Sequence, residues 1–463
     1  MFDNQKFDAE IIRALVTKYD RSGPRYTSYP TAPIWNDEYG INDYGNALSD
    51  GAKLKDNPLS VYLHIPFCRK LCWFCGCNKV ISSNQEKAAS YLDYVEKEIT
   101  TAASLLNKRN RVTQLHWGGG TPSLMNLENT QRAFKLVADH FDITPDAEVA
   151  IEIDPRTTDH DKIDLLKSLG FNRLSFGVQD FNIDVQNAIG REQLEETTVD
   201  LYQYSRKLGF TGINLDLIYG LPKQTVATFR ETITKIIQLR PDRIAMYSFA
   251  HIPSTIPGQK LMNPQTIPAT DDKLSMFLDA QKQFIEAGYM QVGMDHFVLP
   301  EDDLGEAIAA SKLRRNFMGY TVKSAADWIG FGMSSISYIN NQFIQNYRQI
   351  KDYYKSVSTS GFGVHRGLKL SKDDLIRQQV ISALMCNFRV DFSLVNNDFD
   401  IAFTHYFENE LNCLRPFEND NLVKVTQSEI TVSSLGRNVI RNIAMIFDAY
   451  LSGEQKVNYS RTI

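Results

Sequence analysis

From residue 60 onward, short unbroken apolar runs alternate with stretches in which apolar residues recur every three or four positions. Ser60–Ile65 reads as a buried strand, and Ala88, Leu92, Val95, Ile99 and Ala102 then fall on one face of a helix. Val112–Trp117 reads as a second strand, followed by Gly118-Gly-Gly-Thr-Pro122 and a helix through Val137. Ala147–Ile153 is a third, with a helix ending at Gly170. Asn172–Val178, Gly212–Ile218 and Arg243–Phe249 continue the series, and a further strand is expected over Tyr289–Met294. Two joints repeat, Leu169-Gly-Phe171 and Leu208-Gly-Phe210, and Ala287-Gly-Tyr289 echoes them. In each, glycine suits a left-handed helix cap and the aromatic opens the next strand.

Strands and helices alternating in this way imply an α/β fold with a parallel sheet, either open and doubly wound or barrel-like. The unusual polar and glycine residues sit at the C-terminal ends of successive strands. They are a cysteine-rich loop after Ile65, the triple glycine, Glu152, Gln179, Asp216 and Ala250-His251. A barrel builds its site on that face from the loops after each strand. An open sheet gathers it at one switch point. Spread over six strands, the pattern favours the barrel.

On either side the rhythm fades. Residues 1–55 are polar, with aromatics and turn formers, and include the extended, proline-punctuated segment Ser22-Gly-Pro-Arg-Tyr-Thr-Ser-Tyr-Pro-Thr31. This segment reads equally well as a surface strap or as a flap over an active site that offers Arg25. From about Leu370 helices are expected over Lys372–Met385, Phe399–Leu414 and Arg437–Tyr450, with a hairpin over Leu422–Val432. Three parts are therefore expected: a strap or flap at 1–55, a barrel with its extension at 56–365, and a mainly helical domain at 366–463. Helices plus a hairpin could make a winged-helix unit, but the acidic tract Phe417-Glu-Asn-Asp-Asn421 argues against nucleic acid.

Composition narrows the class. Hydrophobic residues make up 43% and charged residues 23%, the balance of a soluble globular enzyme. Lys plus Arg number 50 against 55 Asp plus Glu, and a net charge of −5 argues against binding driven by phosphate contacts. The Met1–Asp8 stretch has neither the basic start nor the apolar run of a signal peptide, and no stretch is long and apolar enough to span a membrane. Clustered cysteines without a leader fit a cytoplasmic protein.

The cysteines carry the chemistry. Pro66–Asn78 holds four of the six, at Cys68, Cys72, Cys75 and Cys77. Thiolates packed this tightly can bind zinc, hold an iron–sulfur cluster or form a redox pair. Structural zinc takes two separated ligand pairs, and no second pair follows. A redox motif needs two cysteines, not four. A Cys-x3-Cys-x2-Cys triplet instead suits three irons of one [4Fe–4S] cube, leaving the fourth iron for another ligand. Gly118–Pro122 exposes backbone groups for close approach by a ligand. Glu152 in its apolar strand is either an outward carboxylate or an acceptor for a ligand ribose or amine. Gln179, Arg191 and Asp216 are equally readable as scaffold. His64, His116, His251 and His296 adjoin strand ends with no metal-ligand spacing among them.

Together these residues resemble the radical S-adenosylmethionine enzymes and, more narrowly, the oxygen-independent coproporphyrinogen III oxidase family. The resemblance runs from about Ser22 to Ile463. It rests on Gly23-Pro-Arg-Tyr-Thr-Ser-Tyr-Pro-Thr-Ala32, Tyr62-Leu-His-Ile-Pro-Phe-Cys68, Leu115-His-Trp-Gly-Gly-Gly-Thr-Pro122, Gly177-Val-Gln-Asp-Phe181, Asp216-Leu-Ile-Tyr-Gly-Leu-Pro-Lys-Gln224, Gly293-Met-Asp-His-Phe297 and Cys386-Asn-Phe-Arg389. Arg315–Tyr320 is similar to the family too, although Arg314 stands where a histidine is expected. The resemblance implies a partial (β/α)6 TIM-like radical SAM barrel with an N-terminal strap and a mostly helical C-terminal domain. It implies a [4Fe–4S] cluster on Cys68, Cys72 and Cys75, with Cys77 not a ligand. S-adenosylmethionine would occupy the fourth iron, touching Tyr62, Phe74, Gly119, Glu152 and Ile336. A second molecule would meet Gly120, Thr121, Gln179, Arg191, Asp216 and Ala250. Reductive cleavage would give a 5′-deoxyadenosyl radical that takes a hydrogen from the β-carbon of a substrate propionate. Two propionates of coproporphyrinogen III would become vinyl groups, giving protoporphyrinogen IX for haem biosynthesis. Arg25 is the expected cation for a propionate, a flavodoxin or ferredoxin system the expected electron donor, and a monomer the expected state. The alternative is a related haem chaperone that binds haem and decarboxylates nothing. Such proteins generally lack the Arg25–Tyr29 segment and a cysteine at position 77, and both are present here.

Overall fold

The computed structural model describes residues 9–323, 325–452 and Tyr459; Met1–Asp8, on which the expectation about a leader rests, lies outside them. The chain forms two compact units. One comprises residues 36–276 and 323–369. The other comprises residues up to Trp35, residues 277–322 and residues from Leu370 onward.

The first unit is built on six strands: β1 (Leu59–Ile65), β2 (Arg111–Gly119), β3 (Asp142–Ile153), β4 (Arg173–Gln179), β5 (Gly212–Tyr219) and β6 (Arg243–Ser248). Each pairs in parallel with the next, so spatial order repeats chain order. An order that never reverses has no switch point, which sets this sheet apart from a doubly wound one. It is the partial (β/α)6 barrel arrangement. Helices α1 (Gln85–Leu106), α2 (Leu127–Ala138), α3 (His160–Ser168), α4 (Glu195–Lys207) and α5 (Val226–Leu239) make the crossovers. Asn84, Asn126, Asp159 and Thr225 cap four of them, each side chain accepting a backbone N–H of the first turn.

The α1 face formed by Ala88, Leu92, Val95, Ile99 and Ala102 is buried, as are Val61, Leu63 and Ile65 of β1. The repeated joints have their left-handed glycines, Gly170 at φ +93° and Gly209 at φ +77°. Phe171 then packs edge-on against Trp117 with centroids 5.1 Å apart.

The pattern did not reveal four further strands. β7 (Asp327–Phe331) pairs in parallel with β1, and β8 (Ile336–Ile339), β9 (Gln342–Asn346) and β10 (Val364–Lys369) continue the sheet antiparallel. β7 and β9 are buried at every position, so neither alternates. A local signal was nevertheless available. Asn340 and Asn341 both take positive φ, at 49° and 59°, as the two-residue turn of a tight hairpin requires.

In the second unit, the strand expected over Tyr289–Met294 spans Met290–Val292 and pairs antiparallel with His296–Val298. Lys372–Asn387 is helical as expected. The helix expected over Phe399–Leu414 is broken, because Phe392–Phe399 ends on left-handed Asp400 at φ 52° and shorter helices follow. The hairpin near Leu422–Val432 gains Arg389–Asp391 as a third strand. Arg437–Tyr450 is a succession of short turns around Ile440–Ala444 rather than one helix. Asn387, inside the Cys386–Arg389 motif, holds Leu313 through both its backbone N–H (3.1 Å) and its carbonyl (3.2 Å), fixing the entry to the Arg314–Asn316 strand. Among the described residues no helix is long and apolar enough to cross a membrane.

Candidate active site

The cysteine loop is pinned at both ends. After β1 the short strand Phe67–Cys68 runs parallel to Val80–Ile81, with Val80 N–H donating to Pro66 O (2.8 Å) and Ser82 N–H to Cys68 O (2.9 Å). Inside it, Cys75 N–H closes a turn on Cys72 O at 3.1 Å, and the Lys79 ammonium donates to the carbonyls of Cys75 (2.8 Å) and Cys77 (3.2 Å). Trp73 N–H reaches Ile189 O at 2.9 Å, tying the loop to the segment after β4. Cys68 and Cys72 are buried, Cys75 is half-buried and Cys77 is exposed.

Each sulfur has a distinct environment. Burial pushes the Cys68 thiol up to about 11, opposed by the Thr121 hydroxyl donating to its sulfur at 3.3 Å. A hydrogen bond with Cys77 draws Cys75 down to about 6, and the same contact pushes Cys77 up. Cys72 faces two guanidinium groups, Arg156 Nη2 at 3.3 Å and Arg191 Nη1 at 3.5 Å. Between these cations lies Asp154. Burial alone would raise its carboxyl, but Arg191 and Arg156 hold it at about 2.

Beside the loop, β2 ends flush against β1. Gly120 N–H donates to Ile65 O at 2.8 Å, and a Cβ on Gly120 would stand 2.4 Å from Pro66 O. Gly119 has φ +119°, and a Cβ there would meet the His64 ring at 2.6 Å. Its N–H donates to Glu152 Oε2 at 3.1 Å, and His116 Nε2 is 3.7 Å from Oε1 of the same carboxylate. Burial pushes His64 down to about 4, so its ring is neutral at pH 7. The consistent tautomer carries a proton on Nε2, donated to Asn78 O at 3.0 Å, and leaves Nδ1 to accept the Tyr62 hydroxyl at 3.1 Å.

The residues expected around the cluster-bound cofactor fall into two arrangements. Tyr62, Gly119 and Glu152 are neighbours. Ile336 lies two strands from Tyr62, its carbonyl 2.7 Å from where a Cβ would sit on Gly330, which is opposite Tyr62 in the β1–β7 register. Phe74 packs instead against the cluster of Val185, Ile189, Ile218, Leu221, Phe249 and Met262. Of the second expected set, Gln179, Arg191 and Asp216 lie at Gly177. Arg191 Nη2 donates to its carbonyl at 2.8 Å, and left-handed Gln179 (φ 69°) sits at a register shift in β4. Asp216 pairs with Gly177 and accepts from Ser175 (3.1 Å) and Asn214 (2.8 Å). Gly120 and Thr121 lie at Cys68, and the Ala250 carbonyl, after β6, is held by Gln259 at 2.9 Å. Arg25 belongs to the other unit, its Nη1 4.0 Å from Asp295 Oδ2.

Sequence reading passed over Asp154 and Arg156. Their signal was an Asp-Pro-Arg turn at the end of β3, where Asp154 caps the turn and grips Arg156. The donor set suits a cluster with a small polar ligand. Four thiols are presented from one loop, a glycine cradle has no room for side chains, and the buried Arg191 Nε has no hydrogen-bond partner among the described residues.

Residues 62–236 match the Radical SAM superfamily. The chain is 44% identical over 451 residues to the oxygen-independent coproporphyrinogen III oxidase of Escherichia coli (strain K12), covering 97% of this chain and 98% of that one. It is 42% identical over 467 residues to the protein of that name from Synechocystis sp., covering 100% and 99%. Among solved structures, coproporphyrinogen III oxidase from Escherichia coli, described as a radical SAM enzyme, superposes with a TM-score of 0.91 at 42% identity, covering 96% of this chain and all of that one.

Proposed function

The chain belongs to the oxygen-independent coproporphyrinogen III oxidase family of radical SAM enzymes, and from that premise we propose how its own residues serve the reaction. The enzyme is an oxidoreductase of haem biosynthesis that converts two propionates of coproporphyrinogen III to vinyl groups, using a [4Fe–4S] cluster and S-adenosylmethionine. When bound, these groups supply the one-electron chemistry that removes a hydrogen atom from the β-carbon of each propionate.

Cys68, Cys72 and Cys75 hold three irons of the cluster. Lys79 shapes their loop by anchoring its carbonyls. Tyr62, Phe74, Gly119, Glu152 and Ile336 bind the S-adenosylmethionine on the fourth iron. Gly119 lets backbone come close, and the Glu152 carboxylate accepts hydrogen bonds from ribose or amine. Gly120, Thr121, Gln179, Arg191, Asp216 and Ala250 receive a second S-adenosylmethionine. The observation that best supports this reading is the meeting of β1, β2 and β3 ends, where the thiols, the glycine cradle and Glu152 adjoin. A propionate needs a cation, and Arg25 is half-exposed, with its carbonyl braced by Arg315 at 3.1 Å. A flavodoxin or ferredoxin system supplies electrons to a cytoplasmic monomer.

The test is anaerobic. Reconstituted protein is given dithionite, S-adenosylmethionine and coproporphyrinogen III, and 5′-deoxyadenosine is followed together with protoporphyrinogen IX. Both should form, and both should vanish in Cys68→Ala. Deoxyadenosine without a vinyl product would reject the substrate. Neither product from protein with an intact cluster that retains added haem would mark a haem carrier.

A further inference from the structure

Cys72 differs from the other cysteines of the loop in having a guanidinium locked against it. Arg156 Nε donates to Asp154 Oδ1 at 3.0 Å, Arg156 Nη2 to Oδ2 at 2.7 Å, and the Arg156 backbone N–H to Oδ1 at 3.1 Å. Asp154 is itself fixed, its N–H donating to the Ser123 hydroxyl at 3.1 Å. This fork-to-fork pair leaves Arg156 little freedom to swing away, and Nη2 lies 3.3 Å from Cys72 Sγ. The site is shielded, with side-chain exposures of 15% for Arg156, 9% for Asp154 and 8% for Arg191.

We propose that Arg156 is a positioning residue that donates a charge-assisted N–H···S hydrogen bond to the Cys72 thiolate in the holoenzyme and so raises the reduction potential of the cluster. The inference rests on the cluster assignment above. On reduction the cluster takes one electron from an external reductant and gains negative charge. A cation fixed beside one of its sulfurs, where water screens little, stabilises the reduced state more than the oxidised one. Asp154 tempers the effect. With Arg191 it leaves two positive charges and one negative at Cys72, so removing the carboxylate and removing the guanidinium act in opposite directions.

The experiment is a potentiometric titration of the reconstituted enzyme without S-adenosylmethionine, followed by the paramagnetic resonance of the reduced cluster, with iron content measured alongside. Arg156→Gln should shift the midpoint to more negative potential. Arg156→Lys, which keeps charge but loses the fork, should fall between it and wild type. Asp154→Asn should shift the midpoint positive. Wild-type potentials in Arg156→Gln at full iron content overturn the proposal. If that variant takes up no iron, Arg156→Lys and Asp154→Asn decide: midpoints on opposite sides of wild type support the proposal, and coincident ones reject it. A wild-type chain that assembles no cluster rejects the cofactor assignment itself, a failure the iron analysis reads separately.

Discussion

Glu98 shows how much one buried carboxyl can organise. On α1, it accepts from Gly332 N–H (2.8 Å), Asn346 Nδ2 (2.6 Å), the Tyr353 hydroxyl (2.8 Å) and Gly363 N–H (3.4 Å). Burial outweighs these four donors and pushes its carboxyl up to about 7. A raised carboxyl binds its proton in the folded state where the unfolded chain has lost it. Its contribution is therefore complete below about pH 4.5 and falls away as pH rises to about 7. Thermal unfolding of the wild type should show stability declining across that window. In Glu98→Gln the decline should flatten, at lower stability overall because the amide NH2 faces donors. Glu98 was invisible as a polar hub in the sequence, where it reads as one polar residue on an amphipathic helix. The cysteines were legible because their chemistry is rare and their spacing local. Arg156 was not, because its partner sulfur lies 84 residues away.

At the scale of elements, the junction of β1 and β2 determines the cradle. Gly120→Ala would drive a Cβ to 2.4 Å from the Pro66 carbonyl, which is backbone and cannot rotate aside. Overpacking of this kind costs about 1–3 kcal/mol. It falls on the segment leading into Cys68, so iron uptake on reconstitution should drop several-fold while circular dichroism stays near wild type. Unchanged iron uptake would show that the junction does not control the loop. Strands β1–β6 and their helices were legible because parallel strands are continuous apolar runs and crossover helices carry a strict period. β7–β10 were not. They are four to six residues long, and their place in the sheet depends on β1, more than 260 residues earlier in the chain, as the Leu59–Asp327 pairing shows.

At the scale of the whole molecule, the chain folds as two units, and one of them draws on three separate stretches, including residues 277–322. Within it, burial opposes ionisation of Asp295, yet His296, Arg315 and Arg25 hold its carboxyl well below the usual range. If Arg25 binds a propionate, Arg25→Ala should raise the KM for coproporphyrinogen III by about 10- to 100-fold, the worth of roughly 1.5–3 kcal/mol for a charge-assisted hydrogen bond. Formation of 5′-deoxyadenosine without substrate should be little changed. An unaltered KM would assign the propionates to other cations. The sequence by itself determined the barrel strands, the glycine joints and the family, because each is written in local runs and motifs. The tertiary structure alone decided the antiparallel extension, the two guanidinium groups at Cys72, the hub at Glu98 and the grouping of residues 277–322 with both ends of the chain. The physical reason is the same throughout. A hydrogen bond or ion pair between residues far apart in the chain leaves no period in the sequence, since either partner alone reads as an ordinary polar side chain.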